Sequence, residues 1–126
     1  MTNAINWFEI PVSDMNRAQR FYEVMLARPL RREDFGGGEM AVFPHEKPAA
    51  GGCLQASASP SAGGAADGNG VRIYLDCEPS IAAALSRAKT AGGGVVVPKT
   101  ALPPGLGYFA HVRDTEGNVV GLHAQQ

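Results

Sequence analysis

The sequence has little of what marks a nucleic-acid-binding or membrane protein. Eleven basic and twelve acidic residues give a net charge of −1, and no basic run is longer than the pair Arg31 and Arg32. Phosphate contacts therefore have no obvious source, which argues against a nucleic-acid partner. No apolar stretch approaches the roughly 20 residues of a membrane-spanning helix, so we expect no membrane association.

Cysteine is also scarce. Cys53 and Cys77 lie far apart, so one disulfide is possible but a disulfide framework is not. Residues 1–10 contain neither the basic segment nor the apolar segment of a signal peptide. Together these absences predict a cytoplasmic protein with reduced thiols.

Aromatic residues make up only 7% of the chain and charged residues 18%, against 44% hydrophobic residues. With 126 residues, this composition predicts one globular domain that has its own core. Glycine and proline are abundant by contrast, at sixteen and nine residues. Because both interrupt helices, they exclude a long-helix bundle or coiled coil and favour short elements joined by turns.

The first half of the chain predicts a strand, a helix and three further strands. The segment 5–12 is rich in β-branched and aromatic residues, as strands are. Asp14 is placed to cap a helix, and Pro29 ends it. The apolar face of this helix is Ala18, Phe21, Tyr22 and Met25. The later strands are predicted at 30–35, 39–43 and 51–56, with a glycine turn at 36–38.

The second half repeats this order. A strand is predicted at 71–77, after which Ser80 caps a helix that ends at Gly92. The apolar face of this helix is Ile81, Ala84, Leu85 and Ala88. Three more strands are predicted at 94–97, which Pro98 is expected to stop, and at 107–112 and 118–124, joined by a turn at 114–117.

The two halves, 1–56 and 70–126, therefore have matching element orders. Between them, 57–69 contains only Ser, Ala, Gly, Pro, Asp and Asn, which predicts a flexible linker. Asp14 corresponds to Ser80 in this repeat, and Trp7 corresponds to Ile73. The pattern predicts a single α+β domain, 1–126, made of two βαβββ units.

Three stretches make the chain resemble the vicinal oxygen chelate superfamily, which contains glyoxalase, bleomycin-resistance and extradiol-dioxygenase proteins. They are 5–14 with the aromatic pair that follows it, 91–100, and 107–118 with Gly121 and His123 after it. The last two stretches are similar to a small bacterial branch known only as glyoxalase-like. The resemblance implies curled mixed sheets that enclose a cavity, and it implies a homodimer.

The resemblance also indicates where members of the superfamily hold a divalent metal that polarises substrate oxygens. Their ligands come from the first and last strands of each unit. At those places this chain has Trp7, Cys53, Ile73 and Gly121. Only Cys53 can bind a metal, and its thiolate does not suit the chemistry of Mg, Mn or Ni. We therefore predict that the protein has no metal ligands and no cofactor.

Strand alternation selects the polar side chains that could line the cavity, because residues two apart share a face. By this rule Glu9 accompanies Trp7, and His123 accompanies Gly121. Glu9 is then the candidate general base and His123 the candidate acid–base group. The predicted ligand-binding residues are Trp7, Gln55, Cys53, Tyr108 and Phe109.

These residues also have structural interpretations. Glu9 alternates with apolar neighbours, as on a solvated strand face, and His123 lies near the terminus, where an exposed histidine is common. His111 is expected at a dimer edge or on the surface, and Arg72 either binds an anionic substrate or lies on the surface. The segment 103–107 is a rigid turn or a lid at the cavity mouth.

Two classes of function remain open at this point. One is a glyoxalase-like lyase or isomerase with Glu9 as base, the metal-dependent form being a lactoylglutathione-lyase-like isomerase or a dioxygenase-type enzyme. The other is a binding module like the bleomycin-resistance proteins, with Trp7, Tyr108 and Phe109 as aromatic walls. The missing metal ligands favour the second, whereas the low aromatic content weakens it. The sequence predicts a protein that binds or transforms a small molecule without the usual metal.

Overall fold

The structure is a computed structural model that describes residues 4–35, 38–56 and 70–126. The predicted linker, 57–69, lies outside the described residues, as do Gly36 and Gly37 of the predicted turn. Within the described ranges the chain forms eight strands and two helices. In order they are β1 (Trp7–Val12), α1 (Met15–Leu26), β2 (Arg31–Phe35), β3 (Gly38–Val42), β4 (Gly51–Ala56), β5 (Tyr74–Asp76), α2 (Ile81–Thr90), β6 (Gly94–Ala101), β7 (Tyr108–Arg113) and β8 (Val119–Ala124).

The strands form two mixed four-stranded sheets with the same topology. The strand order is β1-β4-β3-β2 in the first sheet and β5-β8-β7-β6 in the second. The first strand of each unit pairs in parallel with the last, and the remaining pairs are antiparallel. The predicted α+β fold of two βαβββ units is confirmed, and neither sheet closes into a barrel.

Both helices begin at the predicted caps. Asp14 accepts a hydrogen bond from the backbone N–H of Arg17 at 3.0 Å, and Ser80 accepts one from Ala83 at 3.1 Å. These bonds satisfy N–H groups that a helix leaves unpaired in its first turn. The helices contact each other and each packs on its own sheet, so the core lies between the sheets and the helices. Neither helix in the described part of the chain is long and apolar enough to span a membrane.

The turn between β7 and β8 joins the second unit to the first. The Tyr22 hydroxyl donates to the buried Asp114 carboxylate at 2.6 Å, and the Asn118 side-chain amide donates to the Pro11 carbonyl at 2.8 Å. Burial raises the pKa of Asp114, although its hydrogen bonds to Tyr22 and Asn118 oppose that rise. The turn predicted at 114–117 is therefore also a contact between the two units.

Glu116, in the same turn, binds the N-terminal end of α1. Its side chain has no exposed surface and forms an ion pair with Arg17 at 2.6 Å. The same carboxylate accepts backbone hydrogen bonds from Ser13 at 3.0 Å and Asp14 at 2.9 Å. Burial opposes ionisation, but the hydrogen bonds from Arg17, Asp14 and Ser13 outweigh it and lower the pKa of Glu116 to about 2. A carboxylate at this place also complements the helix dipole.

The prediction that Pro98 stops the sixth strand is wrong. β6 continues from Gly94 to Ala101, and its pairing with β7 shifts between Val97 and Thr100. β6 is at the edge of its sheet. An edge strand tolerates the missing N–H of proline, and the irregular pairing accommodates it.

The correspondence between Trp7 and Ile73 is also wrong by one residue. The side chain of Ile73 packs against the core, whereas Trp7 does not. Ser80 follows the buried Cys77 by three positions, whereas Asp14 follows the buried Val12 by two. The extra residue shifts β5 relative to its helix cap, so the strand positions that match Trp7 and Glu9 are Arg72 and Tyr74.

Candidate functional site

Each sheet has one face turned away from the helices, which we call its open face. On the first sheet this face carries Trp7 and Glu9 from β1 and Cys53 and Gln55 from β4. Glu9 is directly opposite Cys53 in the parallel pair, and Trp7 is opposite Gly51. Four of the predicted site residues therefore share one surface, as strand alternation required.

The chemistry of this first open face is limited. Burial and the charge of Glu9 raise the pKa of the Cys53 thiol to about 11, so the free thiol is neutral near pH 7 and a poor nucleophile. The Trp7 indole is 40% exposed and meets the edge of the His45 ring at 6.0 Å.

The open face of the second sheet carries a denser set of aromatic and polar groups. Register places Tyr74 opposite Gly121, Asp76 opposite His123, and Phe109 opposite His123 on the other side. His111, also on β7, is opposite Gly121. The predicted residues His123 and Phe109 are thus neighbours on adjacent strands.

Glycine at position 121 makes room for an aromatic ring. The ring of Tyr74 lies where a Cβ on Gly121 would be. Any side chain at position 121, including a metal-binding carboxylate, would have to displace this ring.

Three polar side chains form a hydrogen-bonded series beside that ring. Arg72 Nη1 is 2.7 Å from His111 Nδ1 and 3.3 Å from His111 Nε2, and His111 Nε2 is 2.8 Å from the Tyr74 hydroxyl oxygen. Burial lowers the pKa of His111, and the positive charge of Arg72 lowers it further. The His111 ring also packs against the ring of Phe109, with centroids 5.4 Å apart.

An apolar cleft of about 480 Å³ opens on this face, lined by Tyr74, Leu102, Phe109 and His123. His123 Nε2 donates to the Leu106 carbonyl at 2.7 Å, which ties the segment between β6 and β7 to β8. The same segment is closed by a hydrogen bond from the Leu102 N–H to the Gly107 carbonyl at 2.9 Å. The 103–107 segment is therefore a turn that hydrogen bonds fix at the edge of the cleft.

A second cleft, of about 430 Å³, lies at the junction of the two units. Its walls include Phe8, Phe43, Ile73 and Leu75, with Arg28, Arg72 and Asp76 among its polar groups. None of the seven predicted catalytic and ligand-binding residues lines it. We therefore take the cleft of Tyr74, Leu102, Phe109 and His123 as the candidate site.

The structure brings together only part of the predicted site. Of the two clefts described above, neither is lined by Glu9, and only the cleft of Tyr74, Leu102 and Phe109 is lined by His123. Tyr108 lies on the opposite face of β7 from Phe109, packed against the core, with the Lys99 ammonium 4.4 Å from its ring centroid. A wall made of both Tyr108 and Phe109 is excluded by strand alternation.

Sequence reasoning did not select Tyr74, His111 and Leu102. Alternation along β7 was the available signal, because it places His111 on the face of Phe109. For Tyr74, the one-residue shift of β5 relative to its helix cap concealed the face of the sheet on which this side chain lies. Leu102 follows the strand that continues past Pro98, so it was outside any predicted element.

The donor atoms at the superfamily's metal-binding positions do not fit a divalent ion. These positions hold Trp7, the buried Cys53 thiol, Arg72 and Gly121, and the Tyr74 ring covers Gly121. In the described ranges, no three His, Cys, Asp or Glu side chains are grouped so that they could hold a metal. Divalent ions of this kind need several imidazole or carboxylate donors.

The topology and the cleft define a class: α+β proteins built from two βαβββ units whose sheets expose a face for a small molecule. The sequence model of the Glyoxalase/Bleomycin resistance protein/Dioxygenase superfamily matches residues 4–122. The chain belongs to this superfamily.

Solved structures share the fold over nearly the whole chain. A protein named UcmS2 has 25% identity, a TM-score of 0.68 and full coverage of both chains. A glyoxalase/bleomycin resistance protein from a Streptomyces species has 24% identity and a TM-score of 0.64, covering 95% of this chain and 99% of its own. The fosfomycin resistance protein FosX from Listeria monocytogenes has 16% identity and a TM-score of 0.66, covering 100% and 94%. The comparison with curated proteins found no match.

Proposed function

We propose that the protein binds a small amphipathic molecule in the cleft of Tyr74, Leu102, Phe109 and His123, without a divalent metal. The observation that carries this proposal is the cleft itself, because apolar and aromatic side chains form most of its walls and Tyr74 and His123 supply its polar groups. Binding sites for small molecules are built in this way, with a few polar groups that orient the ligand.

The metal-dependent alternative has weaker support in this chain. Lewis-acid catalysis needs an ion held by several protein donors, and the described open faces present a ring and a neutral thiol at those places. Glu9, the candidate base, lies on the first sheet and does not line the cleft. We therefore favour binding over a metal-assisted isomerisation.

The proposal can be tested with 2-methylnaphthalene, a flat neutral probe, in an NMR titration of isotope-labelled protein. We expect saturable shifts at Tyr74, Leu102 and Phe109 that persist after dialysis against a chelator. Leu102→Ser removes an apolar wall and should cost about 1 kcal/mol of binding free energy. Val96→Ser is the matched control, since Val96 is an exposed apolar residue of β6 outside the cleft.

Two results would contradict the proposal. One is shifts spread over the surface without saturation, which indicate non-specific adsorption. The other is binding that disappears with the chelator, which indicates a metal at the site.

We also propose that the chain acts as a homodimer, as the resemblance to small members of the superfamily implies. Three exposed apolar residues support this: Ile5 at 48%, Trp7 at 40% and Val71 at 92% exposure. An interface that covered these side chains would remove their apolar surface from water.

A further inference from the structure

The contact between His123 and the 103–107 turn fixes which nitrogen of the imidazole carries a hydrogen. His123 Nε2 lies 2.7 Å from the Leu106 carbonyl oxygen, and Nδ1 does not share this contact. A carbonyl oxygen can only accept a hydrogen bond, so Nε2 must donate. In the neutral imidazole, Nδ1 then carries no hydrogen and is a hydrogen-bond acceptor.

This acceptor is open to a ligand. In the ranges 4–35, 38–56 and 70–126, Nδ1 of His123 has no hydrogen-bond partner. The His123 side chain is half-buried, but Nδ1 itself is not enclosed by the protein. Because His123 lines the cleft, a molecule bound there lies within reach of this nitrogen.

The neighbours of His123 in the sheet cannot occupy Nδ1. Asp76 lies opposite His123 on β5, and Phe109 lies opposite it on β7. An ionised carboxylate only accepts hydrogen bonds, and a phenylalanine side chain has no polar group. Asp76 accepts a hydrogen bond from the Glu78 N–H at 2.9 Å. Its negative charge also disfavours an anion beside His123, so the group that fits Nδ1 is a neutral donor.

We propose that the ligand carries a hydroxyl or N–H group that donates to Nδ1 of His123, and that this nitrogen selects ligands with such a donor. The inference rests on the proposed function and adds the chemical class of the ligand, an apolar molecule with a hydrogen-bond donor. Its apolar part contacts Leu102 and Phe109. A ligand without a donor would displace water from Nδ1 and leave this acceptor unpaired, which lowers its affinity.

The test compares 2-naphthol, which has a hydroxyl donor, with 2-methylnaphthalene, which has the same shape and no donor. The measured quantity is the ratio of the two affinities, because the difference in hydrophobicity between the probes then cancels when variants are compared. His123→Phe keeps a ring in the cleft and removes Nδ1. We expect it to lower this ratio about tenfold, the size of one hydrogen bond.

Two further variants separate the acceptor from the contact with the turn. His123→Gln should restore most of the ratio relative to His123→Phe, since its amide can donate to the Leu106 carbonyl and accept from the ligand. His45→Phe is the matched control, because His45 lines the other cleft, and it should leave the ratio unchanged. Thermal unfolding of each variant checks that the fold is retained.

Nitrogen NMR of histidine-labelled protein observes Nδ1 directly, at a pH where the titration of His123 shows a neutral ring. We expect the hydrogen on Nε2 in the free protein. Adding 2-naphthol should shift the Nδ1 resonance of His123. The ether 2-methoxynaphthalene, which keeps the oxygen but has no donor, should not produce this shift.

The outcomes separate the two proposals. If none of the probes binds, the cleft is not a binding site and both proposals are overturned. If the probes bind but His123→Phe leaves the affinity ratio unchanged, or if the hydrogen of the neutral ring is on Nδ1, only the donor proposal is overturned. A ratio that falls in His123→Phe and recovers in His123→Gln, together with the Nδ1 shift, supports it.

Discussion

At the scale of single residues, Gly121 decides which side chains the second open face can carry. The Tyr74 ring occupies the space above it, and the position of this ring brings the Tyr74 hydroxyl within 2.8 Å of His111. Gly121 lacks a ligating side chain in the sequence, and in the structure the Tyr74 ring packs directly against it. Glycine at position 121 thus offers no metal-binding side chain and leaves space for the Tyr74 ring.

We predict that Gly121→Ala destabilises the protein by about 1 to 2 kcal/mol, because the new methyl group overlaps the Tyr74 ring. Chemical denaturation measures this change. In a Tyr74→Ala background the same substitution should cost less, since the ring is gone. Gly94→Ala is the control, because a Cβ there meets nothing within 4 Å. Equal costs at positions 94 and 121 would show that the ring does not occupy this space.

A second prediction at this scale concerns the titration of His111. Its pKa should lie below 6.5, because burial and Arg72 both disfavour the imidazolium. The folded state then binds fewer protons than the unfolded state. The contribution of His111 to the free energy of unfolding is therefore fully present above pH 6.5 and decreases as the pH falls below 6.5. Arg72→Met should raise the pKa of His111, as followed by NMR.

Arg31→Met is the control for this measurement, since Arg31 pairs with Glu33 on the first sheet. It removes one positive charge without touching His111. An unchanged His111 pKa in Arg72→Met would show that the arginine does not act on the ring.

At the scale of elements, α1 depends on a residue from the other unit. Asp14 caps the helix from within its own unit, while Glu116 accepts the N–H groups of Ser13 and Asp14 from the β7–β8 turn. A buried carboxylate with this many donors is strongly favoured in its ionised form. The Glu116 carboxylate therefore both stabilises the start of α1 and connects the two units.

We predict that Glu116→Gln lowers the free energy of unfolding by about 2 kcal/mol at pH 7, allowing for the half-exposed Arg17. The folded pKa of Glu116 is about 2, below the ordinary value of 4.5. Its contribution is therefore present above pH 4.5 and is lost as the pH falls from 4.5 towards 2. Denaturation at several pH values measures this.

The matched control is Glu33→Gln, which breaks a pair whose two side chains are 71% and 44% exposed. Exposed pairs contribute about 0 to 1 kcal/mol, so its effect should be small. A loss as large in Glu33→Gln as in Glu116→Gln would contradict the role given to burial.

At the scale of the whole molecule, the two units share one core, and each sheet turns one face away from the helices. Helix–helix contact and the β7–β8 turn hold the units together. The open face of the first sheet has a partly exposed indole and that of the second has the candidate cleft. A homodimer would cover part of this apolar surface.

We predict a dimer in sedimentation equilibrium at micromolar concentration. Because the contact would be apolar, raising the salt concentration should not dissociate it. Trp7→Ser should weaken the association, whereas Val96→Ser should not if β6 lies outside the interface. A monomer throughout the micromolar range would refute the dimer.

The sequence was sufficient for most elements of the fold. Asp14 and Ser80 were recognisable as caps because capping depends on neighbours within three residues. β4, at Gly51–Ala56, was predicted with its observed bounds. Pro98 was misread because its effect depends on whether its strand is at an edge, and edge position is not a local property.

The candidate site was predictable only in part. His123 and Phe109 were selected and lie together in the cleft, whereas Glu9 lies on the other sheet. Tyr74 was missed because one additional residue between Cys77 and Ser80 changes which side chains of β5 face outward. A shift of one residue moves every side chain of a strand to the opposite face.

The amino-acid sequence by itself determined the two βαβββ units, their caps and the loss of imidazole and carboxylate donors at the superfamily's metal positions, because these depend on residue type and local spacing. It is the tertiary structure that brings Arg72, His111 and Tyr74 into contact beside Gly121. These residues come from β7, β8 and the chain at and just before β5, and strand register across a sheet brings them together. Register is set by the packing of the whole unit, so no local pattern in the sequence contains it.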